Sequence, residues 1–209
     1  MLRLGLTGGI ASGKSAVAAM LREKGFSVLD ADSLAHKLIE PGQPVHSEVL
    51  AAFGTDIVGA NGSINRAKLG AIVFADPEKL KLLNAIVHPH VREAILRQFD
   101  EWKQGGIRDV VFVEAALLVE AGFIKDLDGL VVAWSTPEQQ LERLLARGLS
   151  EAEAKRRIAA QLPVAAKLRE ATETIDCSGT LEATRAQVAA LAAKLGSNSK
   201  SSYFGGTRT

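Results

Sequence analysis

Eight residues near the start of the chain, Gly8-Gly9-Ile10-Ala11-Ser12-Gly13-Lys14-Ser15, fit the pattern G-x-x-x-x-G-K-[ST] without adjustment. Glycines at these positions let the backbone curl until consecutive amides point at one anion, and the helix that follows adds its positive end. A lysine at the seventh position reaches the outer phosphates of a nucleotide, and a serine at the eighth offers a hydroxyl to Mg²⁺. The motif stands between the apolar run "LRLGLT" and the helical pattern "GKSAVAAMLREKGF", the context this chemistry requires. A chance glycine-rich turn is a poor rival in that setting.

Two carboxylates come next, Asp30 and Asp32, at the end of "SVLDAD". Read as a strand, the alternation puts both side chains on one side, near the phosphate loop. A carboxylate there can position an attacking hydroxyl and accept its proton. Asp32 also suits an N-cap for a helix starting at Ser33, and spacing alone leaves both readings open. Further along, Arg143 and Arg147 lie four residues apart and share a helical face, with Arg156 and Arg157 beyond Gly148. They read as a solvated basic face among Glu142, Glu151 and Glu153, or as guanidinium groups over a transferring phosphoryl. His88 and His90 flank Pro89; an i, i+2 pair does not share a helical face, which argues against a metal site.

The elements that must hold these groups alternate along the chain. "LRLGLT", "SVLDAD", "DVVFVEA", "GLVVAWS" and "ETIDCSG" read as short buried strands, and helical patterns separate them. That order predicts an α/β protein with a parallel sheet covered on both faces. The block from Ser33 to about Gly105 is mostly helical and too long for a simple crossover. It reads as an insertion beside the carboxyl ends of the strands, where α/β proteins bind ligands. "EQQLERLLARGLSEAEAKRRIAAQL" is helical with a break at Gly148, and "TLEATRAQVAALAAKLG" gives a closing helix. The tail "SNSKSSYFGGTRT" has linker composition and is expected to be disordered.

Bulk composition narrows the function classes. Of 209 residues 47% are apolar, enough for a sizeable core, and 25 basic against 24 acidic residues leave a net charge of +1. Such balance gives no electrostatic reason to expect nucleic acid or membrane as a partner. No stretch of about 18 consecutive apolar residues exists to span a bilayer. The single cysteine, Cys177, forbids an intrachain disulfide and fits a reducing cytosol, so a cytoplasmic location is expected. A guanine-reading Asn-Lys-x-Asp element is missing, and Asp56–Gly59 and Asp126–Gly129 mimic a GTPase D-x-x-G only as turns. A small kinase is the better fit than a GTPase switch or a large mechanochemical ATPase.

The ordered set "GLTGGIASGKSAVA", "LDAD", "NAIVHPHVR", "LLVE", "LERLLAR" and "RRIAAQ" resembles the dephospho-CoA kinase family, over about residues 2 to 195. The resemblance implies a P-loop NTPase three-layer sandwich with a five-stranded parallel sheet, a helical substrate-binding insertion and a helical lid. Residues 1–32 and 106–196 would form the nucleotide-binding core, with the lid at about 137–165. Residues 33–105 would form the dephospho-CoA-binding insertion, and 197–209 the tail. ATP would phosphorylate the ribose 3′-hydroxyl of dephospho-CoA, the last step of coenzyme A synthesis. Ala11, Ser12, Gly13, Lys14, Ser15 and Ala16 would bind ATP, and Ser15 would ligand Mg²⁺ with Glu114 assisting through water. Asp32, Lys14, Arg143 and Arg147 would be catalytic, and Thr7, Asp32 and His88 would face dephospho-CoA. The implied partners are the two small substrates, on a monomer or weak homo-oligomer. The pattern departs from the family's at Glu114-Ala115-Ala116, where a proline usually precedes Leu117-Leu118, and at Ala11, Ala16 and Gly148. None of these removes a group the mechanism needs. Rival readings are another small nucleoside or nucleotide kinase, or a regulatory nucleotide-binding switch.

Overall fold

The computed structural model describes residues 1–59, 61–107 and 109–197; the tail from 198 to 209, where a linker was expected, lies outside them. Five strands form one sheet: β1 Leu2–Thr7, β2 Ser27–Asp30, β3 Val110–Glu114, β4 Gly129–Trp134 and β5 Glu173–Asp176. Their order is β2-β3-β1-β4-β5 and every pairing is parallel. β1 therefore lies at the centre, with the chain turning to one side for β2 and β3 and to the other for β4 and β5. Ligands of open α/β sheets sit at the carboxyl ends beside such a reversal.

Strand alternation sorts the core into two layers. Leu4, Leu6, Phe112, Val131, Ala133 and Ile175 face α1 (Lys14–Glu23) and α9 (Leu181–Ser197), packing on Val17, Leu21, Val188 and Leu191. The neighbouring positions Val111, Val113, Leu130 and Val132 face the other way, onto Ile95 and Phe99. Phe112 is fully buried and meets Phe26 edge-on, with ring centroids 5.5 Å apart. A one-residue slip of any strand would exchange the two layers, so the register is strongly fixed.

The insertion consists of α2 (Ala31–Leu38), α3 (Pro44–Phe53), α4 (Arg66–Val73) and α5 (Pro77–Gln104). Its own core is Val45, Val49, Ile57, Ile64, Leu69 and Val73, with Leu80, Leu83 and Val87 of α5 packed against it. The second half of α5, carrying Ile95 and Phe99, packs instead under the sheet. One helix thus spans two hydrophobic centres. Pro89 stands inside it, yet the helix runs through all 28 residues. Packing at both ends outweighs the single backbone hydrogen bond a proline forfeits.

After β4 come α6 (Pro137–Ala146), α7 (Glu151–Ala159) and α8 (Val164–Arg169). A capping box at Thr136 and Gln139 starts α6, and Gly148 at φ +87° turns the chain between α6 and α7. The short α8 was not foreseen; Pro163 at its N-cap and the apolar pair Val164 and Leu168 were its only signals.

Candidate active site

The phosphate loop leaves the buried end of β1 and closes into α1 at Gly13, whose φ of +101° belongs to glycine alone. Space behind the loop is equally restrictive. A Cβ on Gly8 would lie 2.2 Å from the Ala133 carbonyl oxygen, and one on Gly13 would lie 2.8 Å from the Cys177 Cβ. The Ala133 carbonyl belongs to β4 and cannot yield. Gly8→Ala is expected to push the loop outward, costing about 1–3 kcal/mol of stability and weakening ATP binding. Thermal melting and ATP titration measure both. Cys177 is buried with its thiol pushed above the ordinary value by that burial, so it serves as packing under the loop rather than as a nucleophile.

Ala11 sits at the crown of the loop with φ +57°, in the left-handed region and without glycine's freedom. Its carbonyl accepts from Arg143 Nη1 at 3.0 Å, while Arg143 Nη2 donates to the Cys177 carbonyl at 2.8 Å. Arg143 therefore grips the loop from α6, against Cys177 just beyond β5. Arg147, one turn on, caps the end of α6 and is exposed. Ser12 is buried behind the loop, with its hydroxyl 2.5 Å from where a Gly8 Cβ would stand. Its contribution to an anion would come from backbone. Ser15 in the first turn of α1 is exposed, and Ala16 follows it there.

Lys14 lies between two carboxylates. Its Nζ is 3.0 Å from Glu114 Oε1 and 3.4 Å from Asp32 Oδ2. Glu114, at the end of β3, is 4% exposed, and its other oxygen is 3.4 Å from Arg22 Nη2. The Asp32 side chain is 50% exposed and opens toward solvent beside the insertion. A shared strand face for Asp30 and Asp32 is not what forms. β2 ends at Asp30, and α2 begins at Ala31. Asp30, not Asp32, is the N-cap: its Oδ1 accepts from the Ser33 amide at 2.9 Å and its Oδ2 from the Ser33 hydroxyl at 2.7 Å. Partial burial pushes the Asp30 carboxyl up, but the Ser33 hydrogen bonds and the Lys14 charge outweigh it and hold it below the usual carboxylate value. With the cap filled by its neighbour, Asp32 is left to Lys14. The strand reading failed because Ser33 offers Asp30 a stronger local partner than a fifth ladder position would.

Thr7 is fully buried; its hydroxyl donates to the Ala116 carbonyl at 3.2 Å, so the side chain holds the segment after β3 rather than facing the cleft. His88 is half-buried within α5, and burial pushes its imidazole below 6.5 despite the opposing charge of Glu120. The fold thus favours neutral His88, whereas the unfolded chain takes up the proton first. Stability is full above about pH 6.5 and is lost as pH falls through the lowered value. The melting temperature is expected to drop on acidification toward about pH 5, and less steeply in His88→Gln. His90 turns elsewhere, to Glu48 of α3 at 3.1 Å.

Sequence reading overlooked several groups around the site. Gln140 of α6 is buried, with its amide 2.4 Å from where a Gly9 Cβ would stand. Gln161, just beyond α7, accepts from the Ile10 amide at 2.7 Å. Lys167 is completely buried, donating to the Ala116 carbonyl at 2.6 Å and pairing with Glu120 at 2.8 Å. Arg66, the first residue of α4, faces His36 of α2, whose pKa burial and the Arg66 charge push down while Asp32 and Asp30 push it up. Arg66 thus brings a cation to the Asp32 side of the insertion. Neutral amides and long-range ion pairs leave no local pattern, which is why they escaped notice.

Comparison with known proteins agrees with this fold. The dephospho-CoA kinase family model matches residues 2–183. The dephospho-CoA kinase of Symbiobacterium thermophilum is 48% identical over 90% of this chain and 78% of its own length. That of Geobacillus kaustophilus is 46% identical over 91% and 94%. Among solved structures, the protein TT1252 from Thermus thermophilus superposes with a TM-score of 0.76 at 37% identity, covering 93% of this chain and 97% of that one. Dephospho-CoA kinase from Campylobacter jejuni gives 0.66 at 27% identity, over 92% and 96%. With a phosphate loop, a facing carboxylate and a helical insertion at the carboxyl ends of a five-stranded parallel sheet, the chain belongs to the dephospho-CoA kinase family.

Proposed function

We infer that this chain transfers the γ-phosphate of ATP to the 3′-hydroxyl of dephospho-CoA, giving coenzyme A and ADP. The observation that carries the residue roles is the placement of Asp32 3.4 Å from Lys14, half-exposed, where the loop meets the insertion. In this reading the amides of Ala11 to Ala16 and the Lys14 ammonium hold the phosphates. The acceptor oxygen attacks the γ-phosphorus, its proton passes to the Asp32 carboxylate, and the bond to the β–γ bridging oxygen breaks to release ADP. Charge moves over the phosphoryl oxygens, so fixed cations are worth most there. Lys14 supplies one, and Arg147 brings a second as the lid closes. Arg143, held between Ala11 and Cys177, keeps the crown of the loop in place and reaches the same region.

The residues fit Mg²⁺, which would neutralise charge on the phosphates of ATP. Its preferred donors are hard oxygens, several of them water. The Ser15 hydroxyl sits exposed at the helix start, and Glu114 is already committed to Lys14 and Arg22, which suits a contact through water rather than a direct bond. Residues 33–105 would receive dephospho-CoA, with His88 on that side and Thr7 bracing the wall from behind. No helix among the described residues is long and apolar enough to cross a membrane, and the proposed site of action is the cytoplasm. The test is a titration of dephospho-CoA with Mg²⁺-ATP, read by mass. A gain of one phosphate on dephospho-CoA, with AMP, CMP and shikimate unchanged, is the expected result; phosphorylation of one of those in its place would overturn the assignment.

A further inference from the structure

The lid helices are rooted on the phosphate loop at two adjacent residues. From α6, Arg143 donates to the Ala11 carbonyl at 3.0 Å. From the far end of α7, the Gln161 side-chain oxygen accepts from the Ile10 amide at 2.7 Å, a contact between residues 151 positions apart. The chain around Gln161 is pinned as well. The next amide, Leu162, donates to Glu120 Oε1 at 3.0 Å, and the same oxygen is 2.8 Å from buried Lys167. Lys167 also donates to Ala116, the carbonyl that accepts from Thr7. Residues 161 to 167 are therefore a fixed pivot, not a slack connection. At the same end, in its last turn, α7 also reaches the insertion, where the Arg157 guanidinium lies 5.3 Å from the centroid of the Phe74 ring.

We propose that Gln161 is a positioning residue for phosphoryl transfer, which ties the pivot of the lid to the Ile10 amide so that lid and phosphate loop move as one body. The proposal rests on the kinase reading above and adds a role to a residue outside the loop, carboxylate and arginine set. The contact to the insertion at Arg157 and the tie to the loop at Gln161 both stand at the carboxyl-terminal end of α7, on either side of its last turn, so a shift of the insertion there is passed to the loop over a single turn of chain. The neutral oxygen matters: it satisfies a loop amide without bringing negative charge toward phosphates, as a carboxylate would. Loosening the tie leaves ATP free to bind but lets lid and loop close out of register. Transfer then slows, and water reaches the γ-phosphate more often.

The test compares Gln161→Leu and Gln161→Glu with the unaltered protein, measuring kcat, the KM for ATP, and ADP released per coenzyme A formed. Gln161→Leu is expected to lower kcat roughly 10-fold, with the KM for ATP nearly unchanged and ADP released in excess of coenzyme A. Gln161→Glu keeps the accepting oxygen, so its ratio of ADP to coenzyme A stays at that of the unaltered protein while the KM for ATP rises. A Gln161→Leu protein with unchanged kcat and ratio would overturn the proposal, as would a Gln161→Glu protein uncoupled to the same degree. Either result leaves the kinase reading standing. That reading fails separately, if the unaltered protein makes no coenzyme A.

Discussion

Asp32→Asn is expected to bind ATP within about fivefold of the unaltered protein, the ceiling for losing a half-exposed ion pair. Turnover should fall by roughly 10² to 10⁴, the usual contribution of a positioned proton acceptor. The size of the effect follows from where the residue stands. Its neighbour Asp30 is occupied by Ser33 and has no freedom to replace it. The amide retains the shape of the carboxylate and loses its charge and proton affinity at a half-exposed position, so the fold should be untouched. ATP titration by calorimetry and an ADP-release assay give the two numbers. Turnover within tenfold of normal would remove Asp32 from the mechanism.

Lys14→Met carries the second large effect, and it has two separable parts. The missing ammonium withdraws a fixed charge from the transferring phosphoryl, worth roughly 10² to 10³ in turnover. It also leaves Glu114, 4% exposed, with Arg22 at 3.4 Å as its remaining cation. A buried carboxylate that loses its nearer partner costs about 1–3 kcal/mol, toward the lower end because Arg22 stays. The melting temperature should therefore drop by several degrees. In Lys14→Met with Glu114→Gln the charge is gone, so stability returns and activity does not. Differential scanning calorimetry beside the turnover assay separates the parts. Recovery of activity in the double variant would show that Lys14 acts only by neutralising Glu114.

Much of this arrangement is legible in the sequence because it is local. The phosphate loop needs glycines at fixed offsets, and the five apolar runs need strands. Asp76 and Pro77 announce the start of α5, and Gly148 the break between α6 and α7. The resemblance of six short motifs to one family then named the substrates. What escaped depends on approach between distant parts of the chain. Lys167 has no periodic signature that separates it from a solvated lysine, yet it is wholly buried by Glu120 and a carbonyl. Gln161 closes the motif "RRIAAQ", but its partner is not legible until the fold brings Ile10 of the phosphate loop beside it. A local error, reading "SVLDAD" as strand throughout, came from weighing alternation above the capping power of Asp30. The uninterrupted α5 shows the reverse, a local breaker overruled by packing at both ends.

That same helix sets the terms on which this protein could be rebuilt. With Leu80, Leu83 and Val87 closing the apolar centre of the insertion, and Ile95 and Phe99 closing the sheet, α5 has no natural cut site along its length. Grafting the insertion onto another scaffold would have to carry the whole helix and a matching sheet face with it. On the proposed assignment of the acceptor to the insertion, a change of acceptor is more accessible through substitutions on α2 and α4 than through exchange of the whole unit.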